Sequence, residues 1–297
     1  MILVLGEVLI DRFPDDHRIG GAPLNFAFHL HQLGEPLRLV TRVGNDADGR
    51  RICKMLEAYG LATTDVQMDD HHPTGRVTVR LDADGVPTFD ILAPAAYDFI
   101  DLQSMTGQGF PAPLDLIYFG SLVQRSDHCF AQVQQLLAER PPTTRCFCDI
   151  NLRDPFFDRK RINFCVRHAD ILKLNEEELT TIGRVLNIGP GAHETVKHLM
   201  DECRIEMLAV TRGPRGSRVF YGDQQLNSPD PPSVDVRDTV GAGDAFAAVL
   251  AAGILNDRPM PQVLAAATDF AAHVCEQPGA IPAQSQIYED ILTKMGS

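Results

Sequence analysis

The segment DTVGAGDAF, residues 238–246, places three small residues directly before an acid at the start of a predicted helix. A helix N-terminus exposes unpaired N–H groups and a partial positive charge, which favour an anion. Gly241, Ala242 and Gly243 would let that anion approach the backbone, and Asp244 could accept a proton from a hydroxyl beside it. Such adjacency suits phosphoryl transfer, where charge must be held and the acceptor oriented. The alternative is that Asp244 only complements the helix dipole.

The segment IGGAPLNFAFHL, residues 19–30, has the residue types of a polyol site. Gly20 and Gly21 permit close backbone approach, and Asn25, one turn inside the following helix, carries both a donor and an acceptor. Asp11, at the end of the first predicted strand, could accept from two adjacent sugar hydroxyls. The alternative for Gly20, Gly21 and Asn25 is a glycine turn before a helix that carries a surface asparagine. The alternative for Asp11 is an exposed acid at a strand end.

Two further segments end predicted strands with polar side chains. In CDINLRDPFF, alternation places Asp149, Asn151 and Arg153 in one patch, where Arg153 could bind sugar or phosphate oxygens or pair with a neighbouring aspartate. In LKLNEEEL, Asn175 and Glu178 are three residues apart at a helix start, so both can face one point. That point could be a hydrated Mg²⁺, which needs few direct protein ligands. A capping box with solvated glutamates is the alternative.

The elements that must position these residues alternate between strands and helices. ILVLGEVLID is predicted to be one buried strand, and APLNFAFHLHQLG a helix closed by Gly34. Further strands and helices alternate to the Ala-rich segments GDAFAAVLAAGIL and MPQVLAAATDFAAHVCEQ. This pattern predicts a mostly parallel sheet with helices on both faces, in which ligands collect at the carboxyl ends of the strands.

One segment breaks the alternation of strands and helices. GRVTVRLDADGVPTFDIL alternates apolar and polar residues around the turn DADG, as an antiparallel hairpin does. We predict a small sheet beside the main body, formed by about 11–20 and 74–93, that acts as a lid. The whole chain, 1–297, is otherwise predicted to be a single domain.

Composition and charge exclude several classes of protein. The net charge of −13 disfavours nucleic acids and acidic membranes as partners, and no apolar run approaches the ~20 residues that span a bilayer. Seven scattered cysteines without a C-x-x-C pair indicate a reducing, cytoplasmic location. The chain lacks G-x-x-x-x-G-K-[ST], so it has no P-loop, and GAGDAF lacks the third glycine of a dinucleotide fingerprint.

Taken together, these motifs resemble those of the ribokinase-like PfkB family of carbohydrate kinases. GGAPLNFAFHLHQLG and DTVGAGDAFAAVLAAGIL carry the resemblance, with DINLR, LKLNEEEL and VTRGPRG between them in family order. GEVLIDRF and TGRVTVRLDADG are most similar to the fructokinase branch. The resemblance implies the three-layer ribokinase-like α/β fold and an ATP-dependent kinase that uses Mg²⁺.

The resemblance also implies roles for matching positions. Asp244 would be the catalytic base, and the three small residues before it would form the anion hole. The remaining roles are sugar binding by Asp11, Gly20, Gly21, Asn25 and Arg153; ATP binding by Asn175, Thr211, Gly213 and Gly216; contact of Glu178 with Mg²⁺ through water; and binding of a monovalent cation, K⁺ in some members, by Asp238 with backbone oxygens near Val240 and Gly279.

The expected substrates are ATP and a neutral sugar, with fructose converted to fructose 6-phosphate. FDILAPAAYDFI, residues 89–100, lacks the arginine that fructokinases and 2-keto-3-deoxygluconate kinases often place after the hairpin. A sugar with a carboxylate would then lose its charge partner, and burying an unpaired carboxylate is costly, so the segment favours a neutral sugar without singling out fructose. Kinases of 2-keto-3-deoxygluconate, ribose or nucleosides stay open as alternatives, as does a non-catalytic sugar-binding regulator. A homodimer formed through the lid hairpins is a further hypothesis.

Overall fold

A computed structural model of the chain describes residues 1–13, 16–81, 87–103, 113–189, 191–282 and 284–296. The predicted turn DADG, residues 82–85, lies outside the described residues. The strands of this described part are β1 (Ile2–Leu5), β2 (Leu9–Arg12), β3 (His17–Gly20), β4 (Leu37–Gly44), β5 (Val66–Asp69), β6 (Gly75–Leu81), β7 (Pro87–Ile91), β8 (Leu116–Gly120), β9 (Arg145–Asp149), β10 (Ile171–Asn175), β11 (Met207–Thr211), β12 (Ser217–Tyr221) and β13 (Gln224–Asn227).

The large sheet has the strand order β13-β12-β11-β10-β9-β8-β1-β4-β5. Its pairs from β5 to β11 are parallel, whereas β12 and β13 are added antiparallel at one edge. The chain starts in the interior of the sheet at β1, builds outward to β4 and β5, and then returns to β8 on the other side. The strand order therefore reverses at β1, and ligands of open α/β sheets bind at the carboxyl ends near such a point.

The prediction of one N-terminal strand was wrong. The apolar run divides into β1 in the large sheet and β2 in a second sheet, whose strand order is β3-β2-β6-β7. Gly6 and Glu7 stand between the two strands and mark the division, although the apolar residues on either side suggested one strand. The predicted hairpin forms from β6 and β7, which pair antiparallel. In sequence, the strands of the small sheet thus come in two pairs: β2 and β3 follow β1, and β6 and β7 follow β5.

Helices cover both faces of the large sheet and enclose two apolar cores. On one face lie Ala22–Gln32, Ala47–Ala58, Ala242–Leu255, Met260–Val274 and Gln286–Lys294. On the other face lie Asp127–Glu139, Arg159–His168, Glu176–Leu186 and Ala192–Asp201. This is the predicted three-layer arrangement. The described helices include none that is long and apolar enough to cross a membrane.

The Ala-rich helix Ala242–Leu255 is buried over nearly its whole length, which explains its composition. Its neighbour Met260–Val274 approaches so closely that a Cβ on Gly253 would lie 2.4 Å from a methyl group of Val263. Small side chains permit this packing, and it fixes the direction in which the N-terminus of Ala242–Leu255 points.

Candidate active site

The helix Ala242–Leu255 begins with backbone N–H groups that have no partner among the described residues. Gly241, its N-cap, has a left-handed conformation with φ of 83°, which glycine adopts at little cost, and no side chain caps the turn. The N–H of Ala242 makes only a long contact of 3.4 Å with the carbonyl of Thr239. Free N–H groups and the helix dipole make this turn a suitable place for an anion.

Asp244 stands in the first turn of that helix and is 9% exposed. Its Oδ2 accepts a hydrogen bond of 2.7 Å from Nδ2 of Asn25, which belongs to the helix Ala22–Gln32. Burial raises the pKa of Asp244, and the charges of Lys173 and Arg153 together with the Asn25 bond oppose that rise. The structure therefore brings together the two residues at the centre of the two sequence motifs. Asp244 is an oriented carboxylate beside free N–H groups.

Packing explains the two glycines of GGAPLN. A Cβ on Gly20 would lie 2.5 Å from Oδ2 of Asp11, on the neighbouring strand. Gly21 has φ of 115°, and a Cβ there would lie 2.5 Å from the carbonyl oxygen of Glu7. Both glycines therefore let the turn pack against residues that follow β1. Asp11, Gly20 and Gly21 lie together, as predicted.

Two carboxyl groups near this turn are shielded from water. Burial raises the pKa of Glu7 to about 7 and the pKa of Asp11 to about 6. The charge of Arg153, which is exposed in the loop after β9, opposes the rise for both of them and for Asp244. Asp158, one of the neighbouring aspartates that could have paired with Arg153, instead pairs with Arg161.

A buried ion pair below the helix start was missed by sequence reasoning. Nζ of Lys173, on β10, lies 3.0 Å from both carboxylate oxygens of Asp149, at the end of β9, and the two residues are 7% and 0% exposed. A Cβ on Gly243 would lie 2.8 Å from the same ammonium group. Gly243 therefore leaves room for a positive charge directly beside the free N–H groups.

This ion pair belongs to a cluster with an excess of acid. Burial raises the pKa of Asp149 to about 7, although Lys173 opposes that rise. Burial lowers the pKa of Lys173, but Asp149, Glu178 and Asp244 together hold it above its usual value. These carboxyl groups keep the lysine charged although it is buried.

Asn175 and Glu178 form the capping box that the sequence had left open. Oδ1 of Asn175 accepts from the N–H of Glu178, and Oε2 of Glu178 accepts from the N–H of Asn175, each at 2.8 Å. Oε1 of Glu178 also accepts from the N–H of Leu152 at 2.9 Å. Glu178 therefore ties the loop after β9 to the helix after β10. Its role toward Mg²⁺ stays a prediction.

The three residues expected near nucleotide phosphates lie at the end of β11. Thr211 pairs in register with Asn175 on β10. Gly213 begins a 3-10 turn, Gly213–Arg215, and Gly216 follows it. No described heavy atom lies within 4 Å of the position that a Cβ on Gly213 would take, so this backbone is open to a ligand. The predicted nucleotide residues therefore lie together at the carboxyl ends of β10 and β11. Their role stays a prediction.

Asp238 has partners that differ from those expected for a cation ligand. Its Oδ1 accepts from the N–H of Val240 at 3.0 Å. Its Oδ2 accepts from the N–H of Gly279 at 3.0 Å and from Nη1 of Arg18 at 2.8 Å. Among the residues that the structure describes, no cluster of three or more acids, histidines or cysteines could hold a metal ion.

Two surface cavities, of about 270 and 370 Å³, lie at the amino ends of the parallel strands. Met1, Asp115 and Arg145 line the first of them, and it contains none of the predicted site residues. The side chains described above, and not these two cavities, locate the candidate site at the carboxyl ends.

Comparison with known proteins gives three findings. The sequence model described as pfkB family carbohydrate kinase matches residues 4–287. A fructokinase of Escherichia coli is 29% identical over 300 residues, which cover 95% of each chain. Two solved structures share the fold: a fructokinase from Vibrio cholerae bound to fructose, ADP and calcium ion, with a TM-score of 0.81, 24% identity and 97% of each chain covered, and a nucleoside kinase from Burkholderia thailandensis in complex with inosine, with a TM-score of 0.79, 19% identity and coverage of 100% of this chain and 99% of that one.

Proposed function

The chain belongs to the pfkB family of carbohydrate kinases, and from this membership we propose that it transfers the γ-phosphoryl group of ATP to a primary hydroxyl of a neutral sugar. Fructose is the proposed acceptor and fructose 6-phosphate the product. The observation that carries the proposal is the position of Asp244, an oriented carboxylate beside the free N–H groups that begin Ala242–Leu255.

In the proposed mechanism, Asp244 accepts the proton of the sugar hydroxyl as the hydroxyl oxygen attacks the phosphoryl group. Its raised pKa makes it a stronger base than an exposed aspartate. Asn25 donates to Oδ2, which leaves Oδ1 to face the hydroxyl and fixes the plane of the carboxylate. Asp11 and the Gly20–Gly21 turn hold other hydroxyl groups of the sugar. The contact between Gly20 and the Asp11 carboxylate places them together for this role.

Negative charge on the transferred group is met by several positive groups. Gly241, Ala242 and Gly243, which would form the anion hole, and the ammonium of Lys173 lie at the same helix start, and the charge of Arg153 acts on Asp244 there. The family resemblance assigns Mg²⁺ to Asn175 and Glu178, which stand at the carboxyl end of β10 and would hold it through water. When bound, Mg²⁺ would neutralise part of the charge of the nucleotide phosphates. The small sheet would close over the sugar and exclude water.

One observation supports fructose as the acceptor: the E. coli relative of 29% identity is a fructokinase. The segment 89–100 supplies no arginine to pair with an acidic sugar, which supports a neutral acceptor in general. A nucleoside is the second candidate, because the inosine complex shares this fold over the full chain.

The test is a coupled assay of ADP release with fructose, other neutral hexoses, pentoses, 2-keto-3-deoxygluconate and nucleosides. We expect the highest kcat/KM with fructose. A higher value with a nucleoside would replace fructose by the second candidate, and no turnover with any acceptor would refute kinase activity.

Asp244→Asn tests the catalytic base. We expect kcat to fall about 10²–10⁴-fold, the usual effect of losing a general base, with folding intact. Asp127→Asn is the matched control, because Asp127 also stands in the first turn of a helix but is 91% exposed there. Its kcat should equal that of the wild type. Near-normal turnover by Asp244→Asn would show that another group accepts the proton.

A further inference from the structure

The contacts of Asp238 do not fit the monovalent cation that the family resemblance implies. A K⁺ site requires oxygen atoms that point at an open position. Here both carboxylate oxygens of Asp238 already accept hydrogen bonds, from Val240, Gly279 and Arg18. The strongest of these partners is itself a cation. The structure therefore pairs Asp238 with a positive charge that the chain supplies.

Arg18 reaches Asp238 from the small sheet. It lies on β3, directly opposite Asp11 on β2. Its Nε donates to Oδ2 of Asp16 at 2.6 Å, and its guanidinium carbon lies 4.8 Å from the centre of the Phe13 ring. These contacts hold the head group from one side, while Nη1 bonds to Asp238 on the other. The side chain is 32% exposed, so the pair is shielded from water on most of its surface.

The loop that contains Gly279 packs against the arginine. Gly279 has φ of 81°, and a Cβ there would lie 3.7 Å from Cδ of Arg18. Its N–H bonds to the same oxygen of Asp238 that accepts from Arg18. Three segments far apart in sequence, around residues 18, 238 and 279, thus meet at one carboxylate. Any cation that took this position would have to displace the guanidinium group.

We infer that the guanidinium of Arg18 takes the place of the monovalent cation, so that phosphoryl transfer by this chain does not require K⁺. This inference rests on the proposed kinase function. A guanidinium is permanently charged and its fork of donors suits a carboxylate. Asp238 in turn accepts from the N–H of Val240, one residue before Gly241, and so holds the turn that begins Ala242–Leu255. Arg18 is therefore a positioning residue that acts on the anion hole through Asp238.

The pair also joins the sugar side of the site to the phosphate side. Arg18 and Asp11 are cross-strand neighbours, and the charge of Arg18 opposes the raised pKa of Asp11. Asp238 precedes the helix start that carries Asp244. The bond between Arg18 and Asp238 spans both sides and so holds β3 beside the turn 238–241. Unlike a bound ion, which exchanges with the solvent, the guanidinium of Arg18 is covalently part of the chain.

The experiment compares KCl, NaCl and tetramethylammonium chloride at constant ionic strength, with ADP release and the melting temperature as separate measurements. For the wild type we expect rates within twofold and equal melting temperatures in the three salts. For Arg18→Gln we expect at least a tenfold lower rate in tetramethylammonium chloride, partial recovery in KCl, and a melting temperature that KCl raises. Arg18→Lys keeps the charge and should remain independent of K⁺.

Arg38→Gln is the matched control. Arg38 also pairs with an aspartate, Asp65, and is 31% exposed, but it lies at the start of β4, far from the site. It should respond to the three salts as the wild type does. Activation of the wild type by K⁺ of fivefold or more, or an Arg18→Gln protein equal to the wild type in every salt, would overturn the inference. If no acceptor is phosphorylated, the proposed function fails, but the melting temperatures still test the pairing of Arg18 with Asp238.

Discussion

Replacing Lys173 by methionine removes the only ammonium partner of Asp149 that the structure describes and leaves a carboxyl group with no exposed surface. Breaking a buried ion pair by removing one partner typically costs about 3–5 kcal/mol, because the remaining carboxyl group must stay charged without a partner or take up a proton. For a urea dependence of about 3 kcal/mol per molar, this cost lowers the midpoint of urea unfolding by about 1–1.7 M.

The loss of stability in Lys173→Met should depend on pH. In the wild type the folded-state pKa of Asp149 is about 7, and without the ammonium it rises further. The ordinary value in an unfolded chain is about 3.9, so stability falls with rising pH between the two values, by about 1.4 kcal/mol per unit. In the wild type, the contribution of Asp149 to stability stops falling above about pH 7. In the variant, that contribution continues to fall as the pH rises further. We therefore expect the gap between their urea midpoints to widen from pH 6 to pH 8.5.

The double variant Asp149→Asn with Lys173→Met supplies the control. It removes both charges, so it should recover most of the midpoint lost by Lys173→Met, and its gap to the wild type should not widen with pH. A Lys173→Met protein that unfolds at the wild-type midpoint at pH 8.5 would refute the reasoning, because the ammonium would then contribute nothing to holding Asp149.

Three further predictions concern single substitutions. Gly243→Ala should lower kcat at least tenfold, with little change in melting temperature, because its Cβ would lie 2.8 Å from Nζ of Lys173; unchanged turnover would contradict the role of that ammonium. Glu7→Gln should raise stability at pH 8 by about 1–3 kcal/mol and leave it unchanged near pH 4.5, because the raised pKa of Glu7, about 7, means that the folded state loses stability as pH rises from the unfolded value to that pKa; parallel pH profiles of the two proteins would show otherwise. Gly253→Ala should cost about 1–3 kcal/mol in urea unfolding with kcat intact, because its Cβ would lie 2.4 Å from a Val263 methyl group; a stability equal to the wild type would mean that the two helices separate freely.

Local patterns were sufficient for most of the architecture. The helix predicted in APLNFAFHLHQLG forms at Ala22–Gln32, and the hairpin predicted around DADG forms from Gly75–Leu81 and Pro87–Ile91. Strand ends could be placed as well, since each apolar run stops at a polar residue. The division between Ile2–Leu5 and Leu9–Arg12 was missed, because the apolar residues on both sides of Gly6 and Glu7 suggested one strand, and no local pattern shows which sheet each segment joins.

Asn25 and Asp244 could be selected from the sequence because each stands in a motif whose residue types suggest chemistry, and the structure brings them into contact. Pairs of residues distant in sequence could not be predicted. A lysine in the run ILKL gives no sign of its partner, because Asp149 lies 24 residues earlier on another strand. The charge inside an apolar run was the available signal, for Lys173 as for Glu7 in VLGEVLI. Likewise, no local pattern connects Arg18 with Asp238, which lies 220 residues away.

The bond between Asn25 and Asp244 joins residues 219 positions apart. Contacts of such long range form late, because the intervening chain must be ordered before they repay the entropy of closing the loop. Asp244 therefore becomes oriented only when the helices Ala22–Gln32 and Ala242–Leu255 have docked side by side on the same face of the sheet. Partly folded molecules in which these two helices have not docked should therefore show no kinase turnover. Kinase activity would then report whether both ends of the chain have folded together.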